Sequence, residues 1–319
     1  MSLRGVSSGA ASMHERPSGS TSRKATTSRH DCGKLTSDPV VPARGGAINR
    51  LPERDEVADT KVLLGTAGDD SGSTYYAHAP ITEAVVEFRV TQRPTLTLDE
   101  LNSLKAGEEV GYPLVAPRFD LKGEFELTDV AVSTSAQRIQ TGYVFSRSDR
   151  TQIFQARLDG FAFSWLPPYD SWEPFAAEAL RLWRRYVAVA RPISVDRIGV
   201  RYVNRIDIPE NSVEIKDYLN VWPEIPVNMP QILQGYFLQL GVSLKEFDAA
   251  VTINSTIVAP PSEFGTSLIL DLDTYTNTQL LPGKEEFDQA VVNRLRSLRR
   301  AKNFVFEASI TDETRRLIS

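Results

Sequence analysis

Twice along this chain, a run that alternates apolar and polar side chains leads on to a long run with apolar residues at helical spacing. A strand of the first kind needs a sheet with one buried face, and a helix of the second kind needs a surface to cover. A chain that carries both, in the same order twice, is restricted to antiparallel sheet covered by helices.

The first run is Ala84-Val85-Val86-Glu87-Phe88-Arg89-Val90. Ala84, Val86, Phe88 and Val90 point one way, and Glu87 and Arg89 the other, which predicts a half-buried strand. Thr97 is placed to cap a short helix carrying Leu98, Leu101 and Leu104, stopped by Gly107. Strands are expected near 119–127 and over 139–146, 152–158 and 161–166. Asp159-Gly160 lies between the last two and signals a hairpin, because both positions of such a turn must accept positive φ. Ser171 is expected to cap a long helix with Pro174 in its first turn. Trp172, Phe175, Ala179, Trp183 and Tyr186 mark the apolar face of that helix.

The second run begins with an alternating strand over 195–208. A short helix capped by Ser212 follows, with Val213, Ile215 and Leu219. Strands are expected over 235–244, 248–257 and 266–274. A long helix is predicted from about Lys284 to Phe306, its stripe marked by Phe287, Val291, Leu295, Leu298, Lys302 and Val305. Thr311 or Asp312 starts a last short helix.

The fold class is therefore α+β: two tandem β-α-β(3-4)-α halves, with antiparallel sheet covered by two long helices. The order is like the TATA-binding-protein-like or helix-grip arrangement, in which two units can pair edges into one wide sheet. Two ferredoxin-like sandwiches are the alternative. The divisions are an arm over 1–75, a first half over 76–193 and a second over 194–319, which one continuous domain would also accommodate.

The arm is rich in Ser, Thr, Gly, Ala and Arg and has no sustained period. Such a composition cannot bury enough apolar area to offset the entropy of ordering, so disorder is expected. Residues 1–50 carry a net charge of +5 in a chain of net −5, which leaves about −10 on the rest. A basic arm on an acidic body can touch nucleic acid or an anionic surface by a screened attraction. It is also similar to Arg- and Ser-rich transit peptides. A solvated tail is the plain alternative.

Several function classes are closed off. The one cysteine, Cys32, excludes an intramolecular disulfide framework and multi-cysteine metal sites. The three histidines are His14, His30 and His78, so the body beyond residue 78 has none. Ser-His-Asp, Cys-His and histidine-ligated metal chemistry would have to borrow from the arm. There is no phosphate-cradling P-loop, no Gly-x-Gly-x-x-Gly and no Gly-x-Ser-x-Gly. No apolar run is long enough for a transmembrane helix, and no apolar segment of secretory type follows Met1. The expectation is a soluble, cytoplasmic protein with no cofactor and no membrane partner.

Two segments carry a family resemblance. One is Phe161-Ala162-Phe163-Ser164-Trp165-Leu166-Pro167-Pro168-Tyr169-Asp170-Ser171-Trp172-Glu173-Pro174-Phe175. The other is Asp196-Arg197-Ile198-Gly199-Val200-Arg201-Tyr202-Val203-Asn204-Arg205-Ile206. With Pro80-Ile81-Thr82-Glu83-Ala84 before them and Phe306-Glu307-Ala308-Ser309-Ile310-Thr311-Asp312 after, the chain from about Pro80 to Ser319 resembles a bacterial and archaeal family. That family is sporadically distributed and of unknown function, so the resemblance implies no activity and no catalytic residue. A patchy distribution implies mobile or accessory genes, defence and toxin–antitoxin neighbourhoods among them.

The candidate site residues come from the patterns themselves. On the 195–208 strand, Asp196, Ile198, Val200, Tyr202, Asn204 and Ile206 share one face, and Arg197, Gly199, Arg201, Val203 and Arg205 the other. Arginines four residues apart, about 13 Å along a strand, make a basic stripe, and Gly199 leaves room beside it. The stripe suits a phosphate, a carboxylate or a nucleic-acid backbone, or else cross-strand acidic neighbours. Asp271 and Asp273 share one face of another strand, where they suit Mg²⁺ or serve as counter-charges to Arg201 and Arg205. Asn204 falls among apolar residues and is expected to satisfy loop backbone from within the core. Trp165 and Tyr169, with Trp172, stand at a strand-to-helix corner, where they can stack a ligand or staple the helix to the sheet. Asp207 with Glu214-Ile215-Lys216 only faintly resembles the Asp…Glu-x-Lys pattern of metal-dependent nucleases, because the Glu-x-Lys falls in the short helix.

The favoured function is a non-enzymatic binding or interaction module whose partner is a protein or a small anionic ligand. The alternative is a carboxylate- and Mg²⁺-dependent hydrolase or nuclease using Asp271 and Asp273 with Arg201. DNA binding comes third, with nucleic acid expected to engage only the basic arm.

Overall fold

A computed structural model describes residues 74–127, 132–230, 233–262 and 265–319. The arm expected over 1–75 therefore lies outside the described residues, except for Thr74 and Tyr75.

Alternation becomes strand where it was expected. The first described strand, β1, is Ile81–Thr91, and its inward residues Ala84, Val86 and Phe88 are fully buried. Thr97 accepts from the Glu100 amide while the Glu100 carboxylate accepts from the Thr97 amide, a reciprocal cap for the short helix α1 (Leu98–Asn102). Then come β2 (Leu114–Leu127), β3 (Val132–Ser146), β4 (Gln152–Arg157) and β5 (Gly160–Trp165). The long helix α2 spans Trp172–Ala190 and buries the apolar face predicted for it. After it run β6 (Ser194–Ile208), the single turn α3 (Ile215–Tyr218), β7 (Phe237–Leu244), β8 (Ala249–Val258) and β9 (Thr266–Leu280). The second long helix, α4, is Phe287–Ser309, and α5 (Asp312–Ile318) follows, capped by Thr311.

The nine strands among the described residues form one antiparallel sheet in the order β2-β3-β4-β5-β1-β6-β9-β8-β7. The join is β1 against β6, in register from Ala84–Tyr202 to Arg89–Arg197. This long pairing rules out two separate sandwiches. The first core cluster packs α2 and the first turns of α4 on β1, β4, β5 and the start of β6. Its centre is aromatic: Phe88 stacks on Trp183 with ring centroids 4.0 Å apart, and Phe145 on Phe154 at 4.4 Å. The second cluster packs the rest of α4, with α3 and α5, on β6, β8 and β9. No helix among the described residues is long and apolar enough to cross a membrane.

Several local expectations are corrected. The two-residue turn between β4 and β5 is Leu158-Asp159, since Arg157 pairs with Gly160. Positive φ is absent there among the described residues. Gly160 is a glycine for another reason: a Cβ on it would stand 2.2 Å from the Phe88 carbonyl oxygen. Ser171 precedes α2 but makes no side-chain capping bond, and α3 starts after Glu214, not Ser212. A bulge at Asp196 shifts the register of β6 against both neighbours. It turns Val195 inward and leaves Asp196 accepting from Ser194 and Thr91 hydroxyls, so Asp196 does not share the face of Ile198.

Candidate functional site

The two faces of the sheet hold different chemistry. Arg197, Arg201 and Arg205 project from the face opposite the long helices, and each meets a carboxylate. Arg201 lies across from Asp273 on β9 in the ladder, but its guanidinium reaches diagonally to Asp271. Its Nε donates to Oδ1 at 2.7 Å and its Nη2 to Oδ2 at 2.8 Å. Asn254 on β8 donates to the same Oδ2 at 3.0 Å, and Gln239 on β7 donates to Asn254 at 2.9 Å.

Arg197 is the centre of a second network. It donates to Glu87 at 2.7 Å and to Asp273 at 2.6 Å, and Arg157 on β4 donates to the other Glu87 oxygen at 2.8 Å. Burial opposes the ionisation of Glu87, but the Arg157 hydrogen bond and the charges of Arg157, Arg89 and Arg197 hold its carboxyl below the usual range. Asp273 goes the other way. Burial raises it, with help from the Glu87 charge, beyond what Arg197 recovers. Arg205 donates to Asp207 at 2.9 Å and to the Ala259 carbonyl at 3.1 Å. The room expected beside Gly199 is taken by the protein itself: a Cβ there would stand 2.9 Å from Arg197 Nη1. Asp271 and Asp273 thus face different arginines. No group of three or more His, Cys, Asp or Glu able to hold a metal occurs among the described residues.

The helix face holds a crevice of about 550 Å³. It opens where the start of α2, the middle of β6 and the second half of α4 approach one another. Tyr202 and Asn204 of β6 line it, with Tyr169 from the loop after β5, Trp172 and Glu173 from α2, and Arg299 and Lys302 from α4. The segment before β1 adds a further wall, including the otherwise exposed His78. Tyr76 is held there by its hydroxyl, which donates to Glu307, and Glu307 also accepts from Arg315 at 3.2 Å.

The crevice polar groups are arranged by packing. The hydroxyls of Tyr169 and Tyr202 are 2.7 Å apart, and burial pushes both phenols above their ordinary range. The Lys302 ammonium lies 4.0 Å from the centre of the Tyr202 ring. Arg299 donates to Glu173 at 3.1 Å and lies 5.4 Å from the centre of the Trp172 ring. Asn204 is 2% exposed and donates to the Leu270 carbonyl at 3.0 Å, a strand group and not the loop backbone expected.

The sequence-predicted site residues are therefore divided. The arginine stripe and the aspartates lie on one face. Tyr169 lies in the crevice on the other. Trp165 does not line the crevice; its indole N–H donates to the Pro168 carbonyl at 3.1 Å and braces the loop that presents Tyr169. Sequence reasoning missed Tyr76, Arg299 and Lys302 as crevice residues. A signal existed for one of them, because Lys302 interrupts the apolar stripe of α4. Comparison with protein-family models and with curated proteins finds no match to this chain.

Proposed function

We propose that the chain is a non-enzymatic binding module that takes a small organic ligand in the crevice between α2, β6 and α4. The observation that carries this reading is the crevice itself. Its volume of about 550 Å³ falls within the range of about 300–1,000 Å³ typical of small-molecule sites. It also combines aromatic walls with a few convergent polar groups. The hydrolase reading has less support, because Asp271 and Asp273 are each engaged by an arginine. DNA binding by the helix-free face has less support for the same reason, since its arginines are balanced by carboxylates.

Within this proposal the two halves, 76–193 and 194–319, are copies of one unit of TATA-binding-protein-like or helix-grip type. In support, β1 and β6 each open a half, meet at the centre of the sheet, and are each flanked by the last strand of their own half. The body is a member of the sporadically distributed family named above, and it acts in the cytoplasm.

The test is native mass spectrometry of the protein purified without denaturation, together with thermal-shift screening against small acids, bases and neutral compounds. A small-molecule adduct, or a stabilising compound whose effect is lost when Trp172 or Tyr169 is replaced by alanine, supports the reading. No adduct and no stabilising compound would sink it. A stoichiometric protein partner in place of a small molecule would overturn it in favour of an interaction module.

A further inference from the structure

We infer that β7 is a dimerisation edge, on which a second copy of this chain adds its own β7 antiparallel across a two-fold axis and joins the two sheets into one. The inference does not depend on the crevice.

The two edges of the sheet differ in kind. A sheet edge exposes a row of backbone N–H and C=O groups, and native proteins blunt it with proline, charge or a covering segment. The β2 edge is blunted in this way. Its strand carries Pro117 and the charges of Arg118, Asp120, Lys122, Glu124 and Glu126. The β7 edge is not. From Phe237 to Leu244 it has neither a charged residue nor a proline. β8 pairs with its inner side over the whole length. Among the described residues, no strand and no loop backbone bonds to its outer side.

The helix face of this edge is uncovered as well. Leu240 and Val242 lie directly across from Ile253 and Val251 of β8, so they share the face that packs toward α4. Ile253 and Val251 are 6% and 1% exposed, but Leu240 and Val242 are 39% and 40% exposed. The shelter given by α4 therefore ends one strand short of the edge. Phe304 of α4 is exposed, and its ring lies 5.7 Å from that of Phe247, three residues beyond the end of β7. An apolar band thus borders the open backbone.

The occupant follows from the edge itself. Antiparallel pairing about a two-fold axis opposes residues of the same face. Leu238, Leu240 and Val242 of one copy then meet the same three residues of the other. No like charges are brought together, because β7 has none. A foreign strand would have to be selected by its side chains, and β7 offers no charge to select with. The association also closes. Both β7 edges are consumed and only the two blunted β2 edges remain at the ends, so the product is a dimer and not a filament.

The test is sedimentation velocity of the full chain from about 1 to 100 μM, with hydrogen exchange at the two ends of that range. The expected species at the upper end has twice the mass of the chain. Leu240→Lys sets like charges across the axis and should weaken the dimer about a hundredfold or more, and Val242→Lys should do the same. Leu121→Lys, on the β2 edge, should leave the dimer unchanged. Mixing Leu240→Lys with Leu240→Glu should restore a dimer with one copy of each, because opposite charges then face one another. Melting temperature establishes that each variant is folded. Hydrogen exchange needs no variant: the wild-type amides of 237–244 should exchange more slowly at high concentration than at low, and those of β2 should not change. A monomer throughout the range, exchange in β7 that is independent of concentration, or species larger than a dimer overturns the inference. So does a dimer that survives both lysine variants of β7 or is broken by Leu121→Lys.

Discussion

Arg201 holds both carboxylate oxygens of Asp271, one through Nε and one through Nη2, in the planar two-bond geometry that a guanidinium forms best. Asp271 is 5% exposed, so its charge depends on that partner and on Asn254. Asp271→Asn keeps the shape and loses the charge. It should lower unfolding free energy by about 2 kcal/mol, the scale of a hydrogen-bonded charge left without its counterpart. Urea unfolding of the variant measures it. Mg²⁺ should leave the wild-type melting temperature unchanged; a large rise that disappears in Asp271→Asn would restore the metal reading.

Glu87 links Arg157 and Arg197 across three strands, and its carboxyl is held below the usual value of 4.5. A folded value below the unfolded one means that the stabilisation is present above the unfolded value and is lost as pH falls through the folded one. Wild type and Glu87→Gln should therefore differ by about 1–2 kcal/mol near pH 7 and converge as pH falls well below the usual carboxylate range. Asp273 carries the opposite sign. Its carboxyl is raised above 3.8, so its contribution declines as pH rises through that range. Asp273→Asn, which resembles the protonated form, should match wild type at low pH and become the more stable of the two as pH rises through that range. Parallel unfolding curves for both variants across this range would contradict the assignment.

The parts of this structure that the sequence makes visible are those set by local burial. The α2 stripe from Trp172 to Tyr186 and the alternation of β1 and β6 report directly which side of each element is covered. The Asp196 bulge is not visible in this way, because it is defined by two neighbouring strands. Charge type was equally legible, but partner choice was not. Arg201 and Asp271 are cross-strand neighbours only once β6 and β9 are in register. The crevice draws on residues from Thr74 to Glu307, so no window of sequence contains it. Its local traces are misplaced polar groups: Lys302 on an apolar helix stripe, and Asn204 on the buried face of a strand.

Two strand glycines should respond in opposite ways to alanine. Gly160 is packed so closely on β1 that a Cβ would stand 2.2 Å from the Phe88 carbonyl oxygen, a backbone atom that cannot swing aside. Gly160→Ala should cost about 3 kcal/mol or prevent folding, through displacement of the central strands. Gly241 lies on the edge strand β7 and has open space where a Cβ would go. Gly241→Ala should be neutral or stabilising by about 0.5 kcal/mol, from reduced freedom of the unfolded chain. Chemical denaturation of the pair is the check, and equal losses would show that β4, β5 and β1 are not packed as described.

Trp183 stacks on Phe88 with the rings 10° from parallel, and both side chains are essentially fully buried. The stack fixes α2 to the centre of the sheet, where Phe161 and Tyr186 also meet the indole. Phe88→Ala removes the ring from beneath the helix and should cost about 3–5 kcal/mol. The near-ultraviolet circular dichroism of Trp183 should weaken along with the stability, because an indole with an empty face has no single orientation. Trp183→Phe should cost less than that. It loses indole area, but it also removes a buried N–H that has no hydrogen-bond partner among the described residues, a group whose desolvation alone is worth about 1–3 kcal/mol. If Trp183→Phe proves the more damaging of the two, the indole N–H is bonded in solution and the packing of α2 on β1 differs from the arrangement described.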